Sequence, residues 1–253
     1  MNFDYANFKF SLDIENDGTL FVAVSGAHAY GWPSESSDLD LRIVWRPSLW
    51  QSMSLFSKPR TTNTQSNNLD ITRYPLNEYL RLLAKGNGNA AENLFQVKLY
   101  VGAGRFDPIG DLQELVLNNL HDAFLKHYAG YWVSLEKDIN NTSRLERYGL
   151  AKLLLQGYRV LRTGLILTKQ KVFAYSLQSQ QKVLKSKVQE KILGGYYQKK
   201  IPTDALQEKA MAELEVYADN LKYAIDYGVL QSESESALPV LLEEWYREQY
   251  SVT

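Results

Sequence analysis

An apolar run, Leu20–Ser25 (LFVAVS), stops at Gly26-Ala27 and gives way to a polar loop over Gly31–Ser37, after which Asp38–Trp45 reads DLDLRIVW. A short apolar run ending at glycine describes a buried strand, because a helix needs a longer pattern of 3.6-residue period. The second run alternates acid and leucine and then turns apolar, the period-two signature of another strand. Asp38 and Asp40 therefore share a face with α-carbons roughly 7 Å apart, and Leu39 and Leu41 turn to the buried one. Any fold for this chain has to seat a carboxylate pair on a strand beside a glycine turn.

Around this core the first hundred residues mix short strand patterns with loops. Asn68–Tyr74 (NLDITRY) is a third strand, and Ser57–Asn67 is a polar loop. Pro75 starts a helix through about Ala84 that stops at Lys-Gly-Asn-Gly. Asn89 and Glu92 form a capping box for the next helix. From about Asp111 the pattern becomes helical. Ser143 and Glu146 form a second capping box, opening an amphipathic stretch to about Leu167 on which Lys152, Gln156, Arg159 and Thr163 make one polar stripe. Further helices are predicted at about 177–193, 203–226 and 238–248. These patterns predict an α+β protein: residues 1–108 form a small mixed β-sheet domain, and 109–253 an all-helical domain that closes over its cleft.

The sequence contains no cysteine and only His28, His121 and His127 among histidines, which removes thiolate chemistry and argues against a histidine-based metal site. The acidic N-terminus does not resemble a signal peptide, no apolar run is long enough to span a membrane, and a cytoplasmic location is expected. The formal net charge of −1 conceals an asymmetry. Arg144–Lys200 holds 13 Lys/Arg against 2 Asp/Glu, whereas Ile201–Thr253 holds 3 against 11. The basic block either meets a polyanion or is neutralised by the acidic block folding back on it.

Paired carboxylates on one strand face can jointly hold divalent metals. With a further acid they make the two-metal arrangement that stabilises the attacking and leaving oxygens of a phosphoryl displacement. Oxygen-only ligands suit Mg²⁺, with Mn²⁺ the alternative. The Gly26-Ala27 turn lets a triphosphate approach the main chain. The string GAHAYGWPSESSDLDLR from Gly26 to Arg42 resembles the signature of nucleotidyltransferases of the DNA polymerase β superfamily. More narrowly it is similar to those associated with RNA-repair ligases, whose pattern reads Gly-Ser-x-Ala-Tyr-Gly followed by Ser-Asp-x-Asp-x-Arg. Asn87, Asn89, Glu92 and Leu94 resemble a second stretch of that family, and Lys152 and Arg159 a third.

The resemblance implies Mg²⁺-dependent transfer of a nucleotidyl group from an NTP, with Asp38 and Asp40 as metal ligands. It places a third acid on a later strand of the same sheet. Asp70 fits best, ahead of Glu35, Glu78 and Glu92, as second-metal ligand and general base. Gly26, Ala27, His28, Tyr30, Arg42, Lys152 and Arg159 are the candidate nucleotide-binding residues, although His28 also suits local packing, Tyr30 and Trp32 suit a lid on the core, and Arg42 suits pairing with a site carboxylate. Ala27 departs from the family's serine and removes a hydroxyl worth about 1.5–3 kcal/mol against a charged oxygen. The basic block makes RNA the expected acceptor. A small molecule or protein acceptor, or a catalytically weak nucleotide-binding homologue, are the alternatives.

Overall fold

In the computed structural model the described residues are 18–56, 58–66, 68–102, 108–141, 145 and 149–251. Strand β1 (Thr19–Ser25) is buried at nearly every position and is an interior strand of the sheet, paired on both sides, which explains its unbroken apolar sequence. It runs into a five-residue helix α1 (Gly26–Tyr30), where only a turn was expected. β2 (Leu39–Trp45) pairs antiparallel with β1, and β4 (Leu69–Pro75) pairs parallel with β2. β5 (Lys98–Val101) pairs antiparallel on the other side of β1. The fifth strand, β3 (Thr62–Ser66), lies within the segment expected to be a loop and edges the sheet beside β4. All of its residues are exposed, so the polar TNTQS carries no apolar alternation that would mark it as a strand.

The sheet order β3-β4-β2-β1-β5 puts the predicted acid-bearing strands side by side. The β1–β2 register sorts the two faces: Val22 opposes Ile43 and Val24 opposes Leu41, while Ala23 opposes Arg42 and Ser25 opposes Asp40. Val22, Val24, Leu39, Leu41, Ile43 and Ile71 make a small core on the first face. Phe21 and Ala23 join the large core that reaches Trp245 near the C-terminus. Asp40 and Arg42 thus belong to the face turned toward the helices.

Connecting these strands are α2 (Leu49–Met53), α3 (Leu76–Ala84) and α4 (Gly88–Phe95), followed by α5 (Pro108–Asn118) and α6 (Asp122–Ile139). Next come α7 (Leu150–Gln170), α8 (Leu177–Gln181), α9 (Lys187–Tyr197), α10 (Asp204–Asp226) and α11 (Leu238–Ser251). The architecture is α+β, a small mixed sheet followed by helices. α7 is the hub: α6, α9 and α10 all pack along it, and Gly157 lets Trp132 of α6 approach, since a Cβ there would meet the indole at 2.8 Å.

Several local expectations are corrected. The cap of α4 is Asn87, whose Oδ1 accepts from the Ala90 N–H at 3.0 Å. Glu92 takes no part in capping and is fully buried. The single helix expected over 177–193 is two, because Ser176 and Ser186 each accept a backbone N–H and start separate helices. The proposed capping residues Ser143 and Glu146 lie outside the described residues, and the described long helix begins at Leu150 after Gly149 at φ +74. None of the described helices is long and apolar enough to cross a membrane.

Candidate active site

Asp40 stands in register with Asp70 on the neighbouring parallel strand, and Asp38 precedes β2 by one residue. The parallel pairing of β2 with β4 therefore turns two sequence-distant acids into neighbours on one face, about 4.8 Å apart along the hydrogen-bonding direction. Burial raises the Asp40 carboxyl above its ordinary range; Asp70 and Asp38 push it the same way, while Arg42 and Lys152 oppose them. Each of the other acids and Lys152 thus lies within electrostatic reach of Asp40.

Arg42, two residues along β2, reaches both strands. Its Nη2 lies 3.4 Å from Asp40 Oδ1 and its Nη1 4.0 Å from Asp70 Oδ1. The guanidinium is a stand-in cation between the carboxylates. Gly26 is the other fixed point. Its φ is +60, and a Cβ there would fall 1.8 Å from Asp40 Oδ2, so the carboxylate is packed against a bare α-carbon. Only glycine leaves that cradle open.

Among the described residues no group of three or more metal-ligating side chains is already gathered to hold an ion. The donor chemistry nevertheless fits a hard divalent cation: three carboxylates near one another, the central one disfavoured in its charged form, with a guanidinium between two of them. Asp38, Asp40 and Asp70 are the residues that could hold Mg²⁺ or Mn²⁺.

A cleft of about 540 Å³ opens in front of Asp38 and Asp40. From the sheet side Gly26, Ala27, Tyr30, Asp38 and Asp40 line it; from the helices come Tyr131, Asp138, Lys152, Gln156 and Tyr196. Asp70, Arg42, His28 and Arg159 are not on its wall. His28 is half-buried on α1, and Arg42 is occupied with the aspartates. Tyr131, Asp138 and Tyr196 are lining residues that the sequence did not single out, because each sits in a helix whose pattern is explained by packing alone.

The polar stripe of α7 is a ramp from solvent into the core: Lys152 is exposed, Gln156 half-buried, and Arg159 and Thr163 fully buried. Arg159 Nη1 donates to both Glu92 oxygens at 2.8 and 2.6 Å, and the Tyr128 hydroxyl donates to Glu92 Oε1 at 3.0 Å. The Arg159 guanidinium also lies 4.0 Å from the centre of the Tyr30 ring. Burial pulls Arg159 toward its neutral form, but Glu92 and the surrounding tyrosines outweigh it and leave its pKa above normal. Burial likewise raises Glu92, against the pull of Arg159 and Tyr128. Tyr30 thus faces the cleft and rests on a buried ion pair. Arg159, expected to touch nucleotide, instead supports the residue that does line the cleft.

The two parts of the site are also tied directly. Gln178 Nε2 and the Tyr197 hydroxyl both donate to the Gly31 carbonyl, at 3.3 and 3.2 Å. Gly31, at φ +91, ends α1, and a Cβ there would meet the Gln178 amide at 2.1 Å.

A sequence profile of the RNA repair pathway DNA polymerase beta family matches residues 7–191. No curated protein matches the chain. A solved structure of a nucleotidyltransferase-like protein from Exiguobacterium sibiricum aligns with 98% of this chain and 77% of its own at 11% identity, with a TM-score of 0.30, which is too distant to carry weight.

Proposed function

The chain belongs to the RNA repair pathway DNA polymerase beta family, and on that premise we propose that it transfers a nucleotidyl group from an NTP to a hydroxyl of an RNA acceptor. The observation that carries this reading is the side-by-side register of Asp40 with Asp70, where Asp40 and the neighbouring Asp38 line a cleft shared by sheet and helices. In this proposal Mg²⁺ or Mn²⁺, held by Asp38, Asp40 and Asp70, supplies Lewis-acid stabilisation of charge on the phosphates.

The residues divide the remaining work. Asp70, the more exposed of the strand pair, accepts the proton of the acceptor hydroxyl. The hydroxyl oxygen bonds to the α-phosphorus, the bond to the β-phosphate oxygen breaks, and pyrophosphate leaves. Gly26 and Ala27 form the wall along which the triphosphate lies, and Lys152 faces it from α7. Arg42, which lies between Asp40 and Asp70, would stand beside a cation held by those carboxylates, in reach of its phosphates. Tyr30 offers a ring for the base, held by Arg159.

The test is release of pyrophosphate from an NTP on addition of RNA, with and without divalent metal. Release should require the metal and should fall by at least about 100-fold in Asp70→Ala. Metal-independent release, or an Asp70→Ala protein as active as the wild type, would refute the assignment.

A further inference from the structure

Beside the cleft lies a second chamber of about 290 Å³, close to the lower limit of small-ligand pockets. Its wall includes Lys152, Lys199 and Lys200, and among its described lining residues there is no acid. It shares Ser34, Ser36, Lys152 and Tyr196 with the cleft, so a strand occupying it runs on toward Asp38 and Asp40. We propose that this chamber holds the sugar-phosphate backbone of a single-stranded RNA acceptor and presents its end to the carboxylates. The proposal rests on the nucleotidyltransferase reading above.

The backbone that carries the two terminal lysines is held in place. Lys199 and Lys200 follow α9 on a closed turn, their N–H groups donating to the Tyr196 and Gly195 carbonyls at 3.0 and 2.9 Å. The bond from Tyr197 to the Gly31 carbonyl anchors that end of α9 to the loop carrying Ser34 and Ser36. Both lysine side chains are exposed and none of their charge is cancelled by the chamber wall. Alternation of cations with an aromatic ring, here Tyr196, is the way proteins grip single strands: lysines follow phosphates and the ring takes a base. Lysines at a helix end also favour the helix dipole, but that role needs no shared wall with an acid-bearing cleft.

The structure also narrows the basic block. Arg159 and Arg162 are fully buried, so they are core residues and not part of a polyanion surface.

The test is fluorescence anisotropy with a labelled single-stranded RNA of about a dozen nucleotides, in KCl from about 50 to about 200 mM. Wild type is compared with Lys199→Ala/Lys200→Ala and with Lys187→Ala/Lys191→Ala, a control in the same basic segment, and Mg-ATP binding is titrated in parallel. Each phosphate contact on a single strand contributes about 0.7 to the salt slope. The chamber variant should therefore lose about 1.4 from that slope and bind RNA at least about tenfold more weakly at the lower salt, with Mg-ATP affinity unchanged. Circular dichroism should show an unchanged fold, since both side chains are exposed. Unchanged RNA affinity overturns the proposal. So does an equal loss in the control pair, which would mean diffuse attraction, and so does a loss of Mg-ATP binding, which would assign the chamber to the triphosphate. RNA binding that depends on the chamber lysines without any nucleotidyl transfer would leave the proposal standing and remove the reading of function on which it was built.

Discussion

The Arg159–Glu92 pair offers the sharpest test of how the site is supported. Both side chains are fully buried, and the arginine is held by two contacts to the carboxylate while its flat face meets Tyr30. Removing either partner leaves an uncompensated charge in the core, which costs about 3–5 kcal/mol. For a chain of this size each kcal/mol moves the melting temperature by about 2–4 °C, so Glu92→Leu should melt on the order of 10 °C below wild type. Arg159→Met should do the same and in addition forfeit the contact with Tyr30, worth about 2 kcal/mol when desolvated. The double replacement removes both charges together and should recover most of the loss, returning to within about 2 kcal/mol of wild type. Urea unfolding of the four proteins gives the coupling directly. If Glu92→Leu costs under about 1 kcal/mol, or if the two single losses simply add, the pair is not the buried support described above.

Other expectations follow from single positions. Gly26→Ala should push the Asp40 carboxylate aside, because the new Cβ would lie 1.8 Å from Oδ2; nucleotidyl transfer should fall about 100-fold, and wild-type rates would contradict this. Ala27→Ser restores the hydroxyl that the family pattern carries, on a residue lining the cleft; titration with Mg-NTP should show affinity about tenfold or more higher, and an unchanged Kd would place the triphosphate elsewhere. Lys98 donates to the Asn93, Leu94 and Gln96 carbonyls at 2.8, 2.9 and 2.7 Å, closing the end of α4, yet burial pushes its pKa down to about 7. The unfolded lysine titrates near 10.5, so between those values the unfolded chain binds more protons, and stability should rise from pH about 7 toward 10 and be lost again as pH falls through 7. Lys98→Met should flatten that rise in urea midpoints, and an identical pH profile would show that the group does not titrate there.

Much of the site was legible because it rests on local patterns. The three central strands, the aspartate spacing and the break in β1 at Gly26 follow from periodicity and residue type, whereas the short helix that begins there does not. What the sequence could not show was pairing. Nothing in Asn68–Tyr74 says that its strand lies parallel to β2 with Asp70 against Asp40; that follows from the sheet order. Nor does α7 announce where its polar stripe leaves solvent. Lys152 and Arg159 look equivalent on a helical wheel, yet the packing of α6, α9 and α10 around α7 buries one and leaves the other at the cleft. The burial of Glu92 is hidden for the same reason: its spacing from Asn89 satisfies a capping rule, but its partner is far along the chain. The all-polar β3 had no apolar alternation to find.

The central claim is that Asp38 and Asp40 make this cleft a nucleotidyl-transfer site. The most direct measurement incubates the protein with each α-phosphate-labelled NTP, Mg²⁺ or Mn²⁺ and mixed RNA, then follows label in the RNA for wild type and for Asp38→Ala/Asp40→Ala. Wild type should place label covalently in RNA, and the double variant should do so at least about 100-fold more slowly. Equal incorporation by both proteins, or none by either with any NTP and metal, would contradict the account.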